Sequence, residues 1–559
     1  MRTSPPERTA LYRERGWWRG VTVDQVFREA VAARGDAEAL VDPPNKEDLV
    51  GLPPLRLTYA ELDAHVNRMA GAFRRRGVGV GDVVLAQLPN IVEGVVAFLA
   101  AARAGAILSP VAMSYRGHEL RQIIPKLEPK LFLTVARFGG EDQSALAIGL
   151  AADDVLTAPV LCIGPHAPAG TYALDDEPFD ASGAETAEIE AADVLTVCWT
   201  SGTEAAPKGV PRHHDHWVVN GEALHEAASL KEGDTLLNPF PLINIAAFGG
   251  MVMPWLLCRG RFVQHHPFDL PIFLDQMARE KVGYTVAPPA ILTMLLKRSD
   301  LLDGIDFSNL KCMASGSAPL APFMVRDWQE RYGVTIMNVF GSNEGASLFS
   351  SGVNVPDPDR RARYFPRFGV EGVDWSTEFP KKVRTRLVDP ETEKEIRDPG
   401  RVGELRLDGA MVFDGYWKSP DLTKAAFDGE GWFRTGDLFE IAPHPDDRYY
   451  EFVGRSKDIV IRGGVNISPA EIDGLVESHP DVQEACSVGY PDARLGERLC
   501  VFVVPKPGKT ATLEDVCAHL KAQDVAVNKL PEKLKVIDAL PRNALGKVLR
   551  RDLKAAAEE

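Results

Sequence analysis

Cysteine is scarce in this chain, and the few present form no pattern. Seven (Cys162, Cys198, Cys258, Cys312, Cys486, Cys500 and Cys517) are scattered over 559 positions, odd in number and without a CxxC pair. That spacing argues against a disulfide framework and a cysteine zinc cluster, and favours a reducing compartment. Basic charge is also short: the formal net charge is -16. A general nucleic-acid binder is therefore disfavoured, because phosphate backbones require a basic face. The longest apolar stretch, residues 91–113, is interrupted by Glu93 and Arg103, so no membrane span is expected. The segment MRTSPPERTALYRERGWWRG lacks the apolar core of a signal peptide. Together these absences lead to the expectation of a soluble, cytoplasmic protein.

What is present is globular in kind, with 45% hydrophobic and 25% charged residues. A chain of 559 residues exceeds one ordinary core and is expected to divide. A helical pattern from Leu57 to Arg76 precedes a strand at Asp82–Leu88, a helix at Ile91–Ala104 and a strand at Ala106–Val111. Strand, helix, strand at this spacing predicts parallel pairing through crossover helices, hence an α/β architecture. Residues 181–192, rich in Ala and Glu, read as a linker. From about residue 400 short strands and glycine turns take over, and after Lys457 the periodicity restarts: a helix at Pro469–Ser478, strands near Ala485–Gly489 and Leu499–Val504, and a helix at Leu513–Ala522. The predicted division is a large N-terminal layered α/β domain, residues 1–456, and a small α+β domain, residues 457–559.

The most informative segment is Thr200-Ser201-Gly202-Thr203-Glu204-Ala205-Ala206-Pro207-Lys208-Gly209, read as a loop after the strand-like Asp193–Trp199. Two glycines allow close backbone approach, three hydroxyls add donors and Lys208 supplies a point charge, an inventory suited to polyphosphate. An ordinary surface turn uses the same residue types. A Walker A loop is excluded, since Lys208 is followed by Gly209 and Val210 rather than Ser or Thr.

This loop resembles the T-S-G-T-T-G-x-P-K-G signature of the adenylate-forming superfamily, which includes acyl-CoA synthetases, adenylation domains and luciferases. The chain departs from it at Glu204 and Ala205. Further stretches follow in the family's order. By resemblance, the backbone of Gly316-Ser317-Ala318-Pro319 lines adenine. Val339-Phe340-Gly341-Ser342-Asn343-Glu344 matches Y-G-x-T-E, with Phe340 and Gly341 beside adenine and Asn343 in place of Thr. Glu344, with Thr203, is expected to hold Mg²⁺, a hard cation that takes few protein carboxylates when it also binds phosphate. In Gly431-Trp432-Phe433-Arg434-Thr435-Gly436-Asp437-Leu438, Asp437 is expected to accept both ribose hydroxyls, with Arg455 adding a contact. Leu540-Pro541-Arg542-Asn543-Ala544-Leu545-Gly546-Lys547-Val548 resembles P-x-T-x-x-G-K-[IV] and makes Lys547 the expected catalyst of adenylation, its ammonium offsetting charge at the α-phosphate. Lys457 corresponds to the hinge on which the small, mobile domain swings. Gly463 and Gly464 are expected to line a pantetheine tunnel.

The resemblance implies ATP, Mg²⁺ and coenzyme A, and a small carboxylic acid as substrate. Ile243, Asn244, Ile245 and Phe248 fall where relatives line the acyl pocket, and their apolar neighbours favour a hydrophobic acid: fatty, alicyclic or aromatic. Asn244 would need a partner if buried. Hydroxybenzoate activators carry His-Asn where Asn244-Ile245 stands, so a CoA ligase is preferred over an aryl-acid AMP ligase loading an acyl or aryl carrier protein. An inactive nucleotide-binding homologue is the third reading. His213 and His214 suggest a substrate or phosphate role ahead of a metal site, since no partner ligands show recognisable spacing. Monomer and homodimer both remain open.

Overall fold

Thr58 and Glu61 start the first long helix by capping each other. The Thr58 hydroxyl accepts the Glu61 N–H and the Glu61 carboxylate accepts the Thr58 N–H, so two otherwise orphaned donors are satisfied at the head of Tyr59–Arg75. The structure is a computed structural model describing residues 2–165, 167–200, 207–462, 465–492, 494–523, 525, 527–542 and 548–558.

Val92–Ala104 is buried along its whole length. Its alanines explain how: small side chains let it lie in a helical layer between two sheets, and residues of both sheets share one hydrophobic cluster with it. On one side, a seven-stranded sheet runs Lys208–His213, Val194–Thr200, Ile107–Pro110, Val83–Gln87, Leu131–Val135, Val160–Ile163, Tyr172–Ala173. Val83 pairs in parallel with Ile107, as the spacing predicts. On the other side, an eight-stranded sheet has Cys312–Gly316 and Thr335–Gly341 as parallel neighbours. A six-stranded antiparallel sheet follows, in which Val402–Gly409, Phe433–Ile441 and Tyr449–Arg455 are adjacent.

Val460–Arg462 opens a separate five-stranded sheet with Val465–Ile467, Gly496–Pro505, Val482–Asp492 and Lys533–Val536, packed with helices Pro469–Glu477, Leu513–Ala522 and Arg550–Glu558. Among the described residues, the two hydrophobic clusters of this region contain nothing before Val460, and the others nothing after Phe452. Residues 184–190 carry no helix or strand.

The structure corrects both boundaries of the predicted loop: Thr200 is the last residue of the strand before it. Lys208 and Gly209 are not loop residues: they begin a strand antiparallel to Val194–Thr200, with Thr200 opposite Lys208 and Trp199 opposite Gly209. The buried run Gly209–His213 favours an edge strand over an open turn.

Candidate active site

Three strand ends meet here: Thr200, Gly316 and Gly341 close their strands at the carboxyl edge, where open α/β sheets place ligands. Lys208 projects over the Tyr416 ring, its Nζ 5.5 Å from the centroid. The Tyr416 hydroxyl donates to Glu344 Oε1 at 2.9 Å, and Glu344 is 9% exposed. The hairpin lysine and the buried carboxylate are thus joined through an aromatic residue that sequence reasoning missed. Ser201, Gly202 and Thr203, with Glu204 and Ala205, lie outside the described residues, as do Gly463, Gly464 and Lys547.

The turn bearing Glu344 is held from behind. Gly345 adopts φ +90°, and a Cβ there would lie 1.9 Å from the Met411 carbonyl oxygen and 2.3 Å from Arg212 Nη1. Only glycine lets the turn sit so close. Arg212 is fully buried, donates through Nη1 to the Asn343 carbonyl at 3.3 Å and through Nη2 to Asn220 Oδ1. Burial pulls its pKa down to about 10, against the opposing pull of Cys198, Asp414 and Glu344. A buried cation therefore stands behind the site, and nothing in one sequence distinguishes it from a surface arginine.

Across the mouth, Ser317 takes a left-handed φ of 70° and the turn Ser317-Ala318-Pro319 is exposed. Gly316 allows a close approach here too: a Cβ would sit 2.2 Å from the Val339 carbonyl oxygen. Phe340 is half-buried, edge-on to Phe439 with centroids 5.1 Å apart. That contact ties the eight-stranded sheet to the strand carrying Asp437. Asp437 is 4% exposed and faces Arg455, whose Nε lies 3.2 Å from its Oδ1. Thr435 Oγ1 accepts the Asp437 N–H at 3.1 Å, and Glu404 Oε1 accepts the Gly436 N–H at 3.0 Å, fixing the turn. Lys457 is exposed in the turn just beyond, where the Asp458 and Ile459 N–H groups donate to the Arg455 carbonyl.

The segment expected to line the acyl pocket starts a helix. Asn244, half-buried, is its N-cap, its Oδ1 accepting the Ala247 N–H at 3.2 Å. Ile243 is buried and Ile245 half-buried, whereas Phe248 is 1% exposed and stacks on Phe98 with centroids 4.7 Å apart. Phe248 is therefore a core residue behind the segment rather than part of an open wall. Asn343 Oδ1 accepts the Ile245 N–H at 3.0 Å.

Residues 27–417 match the family model for AMP-binding enzymes, and residues 471–547 that for the AMP-binding enzyme C-terminal domain. The chain belongs to the AMP-binding enzyme family. Within the adenylate-forming superfamily it falls in the acyl-CoA synthetase branch. It is 30% identical over 558 residues to a medium-chain fatty-acid–CoA ligase of Escherichia coli, covering 98% of this chain and 93% of the relative. A salicylyl-CoA synthase / salicylate adenylyltransferase of a Streptomyces species is 30% identical over 569 residues, covering 98% and 96%. Among solved structures, ATP-bound MatB from Rhodopseudomonas palustris superposes with a TM-score of 0.79 at 29% identity, over 96% of this chain and 99% of that one.

In this AMP-binding enzyme the histidines turn out to be internal. His213 and His214 are 0% and 1% exposed, so neither reaches a substrate, contrary to the sequence expectation. His213 caps the next helix, its Nδ1 accepting the His216 N–H at 3.2 Å. His213, His216 and Asp414 lie close enough to suggest metal ligands. The rings, however, stack in parallel with centroids 3.4 Å apart and 19° between planes. Parallel rings so placed cannot both aim in-plane lone pairs at one ion about 2.1 Å away. The capping bond also places the His213 proton on Nε2, the nitrogen facing Asp414. Burial, with Arg212 and Arg8 nearby, drives both histidines well below their ordinary pKa, and they pack as neutral rings under Trp18.

Proposed function

We propose that this enzyme is an ATP-dependent acid–CoA ligase that converts a hydrophobic carboxylic acid to an acyl adenylate and pyrophosphate, then to an acyl-CoA thioester and AMP. The observation that carries the reading is the link from Lys208 through Tyr416 to buried Glu344, with Asp437 and Arg455 paired beyond Phe340. In this reading Thr200, Ser201, Gly202, Thr203 and Lys208 cradle the β- and γ-phosphates, which depart as pyrophosphate. Gly316 to Pro319 and Phe340 flank adenine, and Asp437 takes the ribose hydroxyls. One buried carboxylate, steadied by a tyrosine hydroxyl, fits Mg²⁺, which takes few protein ligands when phosphates supply the rest. Bound there with help from Thr203, the ion would neutralise phosphate charge.

Lys547 is assigned to adenylation, as the donor facing the attacking carboxylate and the α-phosphate. Lys457 is the hinge between residues 1–456 and the C-terminal domain, and Gly463 and Gly464 line the thiol's path. Shielding by that domain protects a hydrolysable adenylate.

A hydrophobic acid is favoured because the side-chain oxygens of Asn244 and Asn343 are both engaged by backbone N–H groups, leaving Ile243 and Ile245 to meet the substrate. Apolar walls discriminate by only about 1–3 kcal/mol per methylene, so a broad acid range is expected. The Streptomyces relative, named for both salicylyl-CoA synthesis and salicylate adenylyl transfer, keeps an aryl acid among the candidate substrates, and an aryl-acid ligase serving a carrier protein is the second reading. Acid-dependent AMP release with CoA, against the same assay with a holo carrier protein, separates the two. Release with CoA alone supports the first, and release with the carrier alone overturns it.

A further inference from the structure

Asn343 stands where the adenylate-forming motif has Thr, and both its side chain and its backbone carbonyl are tied to other segments. Its Oδ1 accepts the Ile245 N–H at 3.0 Å, and its Nδ2 makes a longer contact, 3.4 Å, with the Trp199 carbonyl. Its own carbonyl accepts from buried Arg212, and the next carbonyl, that of Glu344, accepts the Phe413 N–H at 2.8 Å. Three separate pieces of chain converge on this residue: the acyl segment and strand Val194–Thr200 on its side chain, and strand Lys208–His213, through Arg212, on its carbonyl.

Ile245 matters because it begins the helix whose first N–H groups need partners. Asn244 satisfies the Ala247 N–H, and Asn343, 98 residues away, satisfies that of Ile245. A threonine at 343 offers a single hydroxyl oxygen in place of the amide's separate acceptor and donor atoms. We infer that Asn343 is a positioning residue that sets the register of the acyl segment against the phosphate strand, acting on the acid through Ile245 rather than by touching it. Loss of the tie releases the segment's first turn, so acid binding suffers more than nucleotide binding, which also draws on Gly316 to Pro319, Lys208 and Asp437 on other segments. The kinetic arm of this inference rests on the ligase reading; the structural arm does not.

Hydrogen exchange and kinetics on the full-length protein test it together. In Asn343→Ala, amides of residues 245–252 are expected to exchange about 3- to 10-fold faster, the effect of one lost net hydrogen bond. Asn343→Asp, which keeps the acceptor, restores protection. In steady state, Asn343→Ala raises the KM for the acid by a similar factor and leaves the KM for ATP within about twofold. Unchanged exchange in Asn343→Ala, or equal rises in both KM values, overturns the inference. If no acid is turned over by the wild type, the ligase reading fails, and the exchange comparison alone still decides whether the tie exists.

Discussion

Asp437 and Arg455 face each other on neighbouring antiparallel strands, with Arg455 Nε 3.2 Å from Asp437 Oδ1. The aspartate is 4% exposed, while the arginine side chain is 37% exposed. The pair is thus asymmetric: the carboxylate is the fixed, desolvated member, and the guanidinium steadies it from the solvent side.

Asp437→Asn should therefore weaken ATP binding by about 10- to 100-fold, the range for losing hydrogen bonds to a charged group. Arg455→Met should cost only about 2- to 5-fold, because an exposed ion pair contributes little. Titration calorimetry with ATP measures both. A larger loss for Arg455 than for Asp437 would reverse the roles given to them.

Tyr416 is the second test. Replacing it by Phe keeps the ring under Lys208 and removes only the hydroxyl on Glu344. The expected result is a fall in kcat of about 2- to 10-fold with little change in thermal stability. Full activity in Tyr416→Phe would mean that Glu344 needs no such support.

Much of this arrangement is legible in the amino-acid sequence. The helix Leu513–Ala522 is legible to the residue from its periodicity, and the structure adds a capping box of Thr512 and Asp515 at its head. Asp437 and Arg455 were both picked out, and their pairing follows from adjacent strands. Tyr416 and Arg212 were missed for one reason: their meaning lies in partners 72 and 131 residues away, and nothing in the local pattern of an aromatic or a basic residue announces such a contact. Lys208 reads as loop in the sequence because glycine and proline around it imitate turn composition, whereas pairing with Thr200 makes it strand. Asn244 and Phe248 were read as pocket residues from position alone; capping and core packing claim them first.

The buried histidines set a pH dependence. His213 and His216 are held well below the ordinary pKa of 6.5, and His214 is pushed down to about 4, each chiefly by burial. In the unfolded chain they protonate as pH falls through 6.5, while the native state leaves them neutral. The unfolded state then binds more protons, so stability is lost on acidification below that value. Asp42 and Asp215, raised to about 6, and Glu477, raised to about 7, hold extra protons in the native state and act in the opposite sense. Comparing wild type with His216→Phe isolates one histidine. The variant's melting temperature should fall less between pH 7 and pH 5, and parallel curves would count against a neutral, buried His216.

The most direct test of the account is acid-dependent exchange of labelled pyrophosphate into ATP, run over a panel of fatty, alicyclic and aromatic acids with wild type and Lys547→Ala. Reversal of adenylation needs the phosphate cradle, the nucleotide site and the acid pocket at once, and does not depend on the thiol acceptor. The account predicts exchange with hydrophobic acids in the wild type and a loss of about 100- to 1,000-fold in Lys547→Ala, the cost of removing one charge-stabilising donor. A wild type that binds ATP yet supports exchange with none of these acids would contradict it.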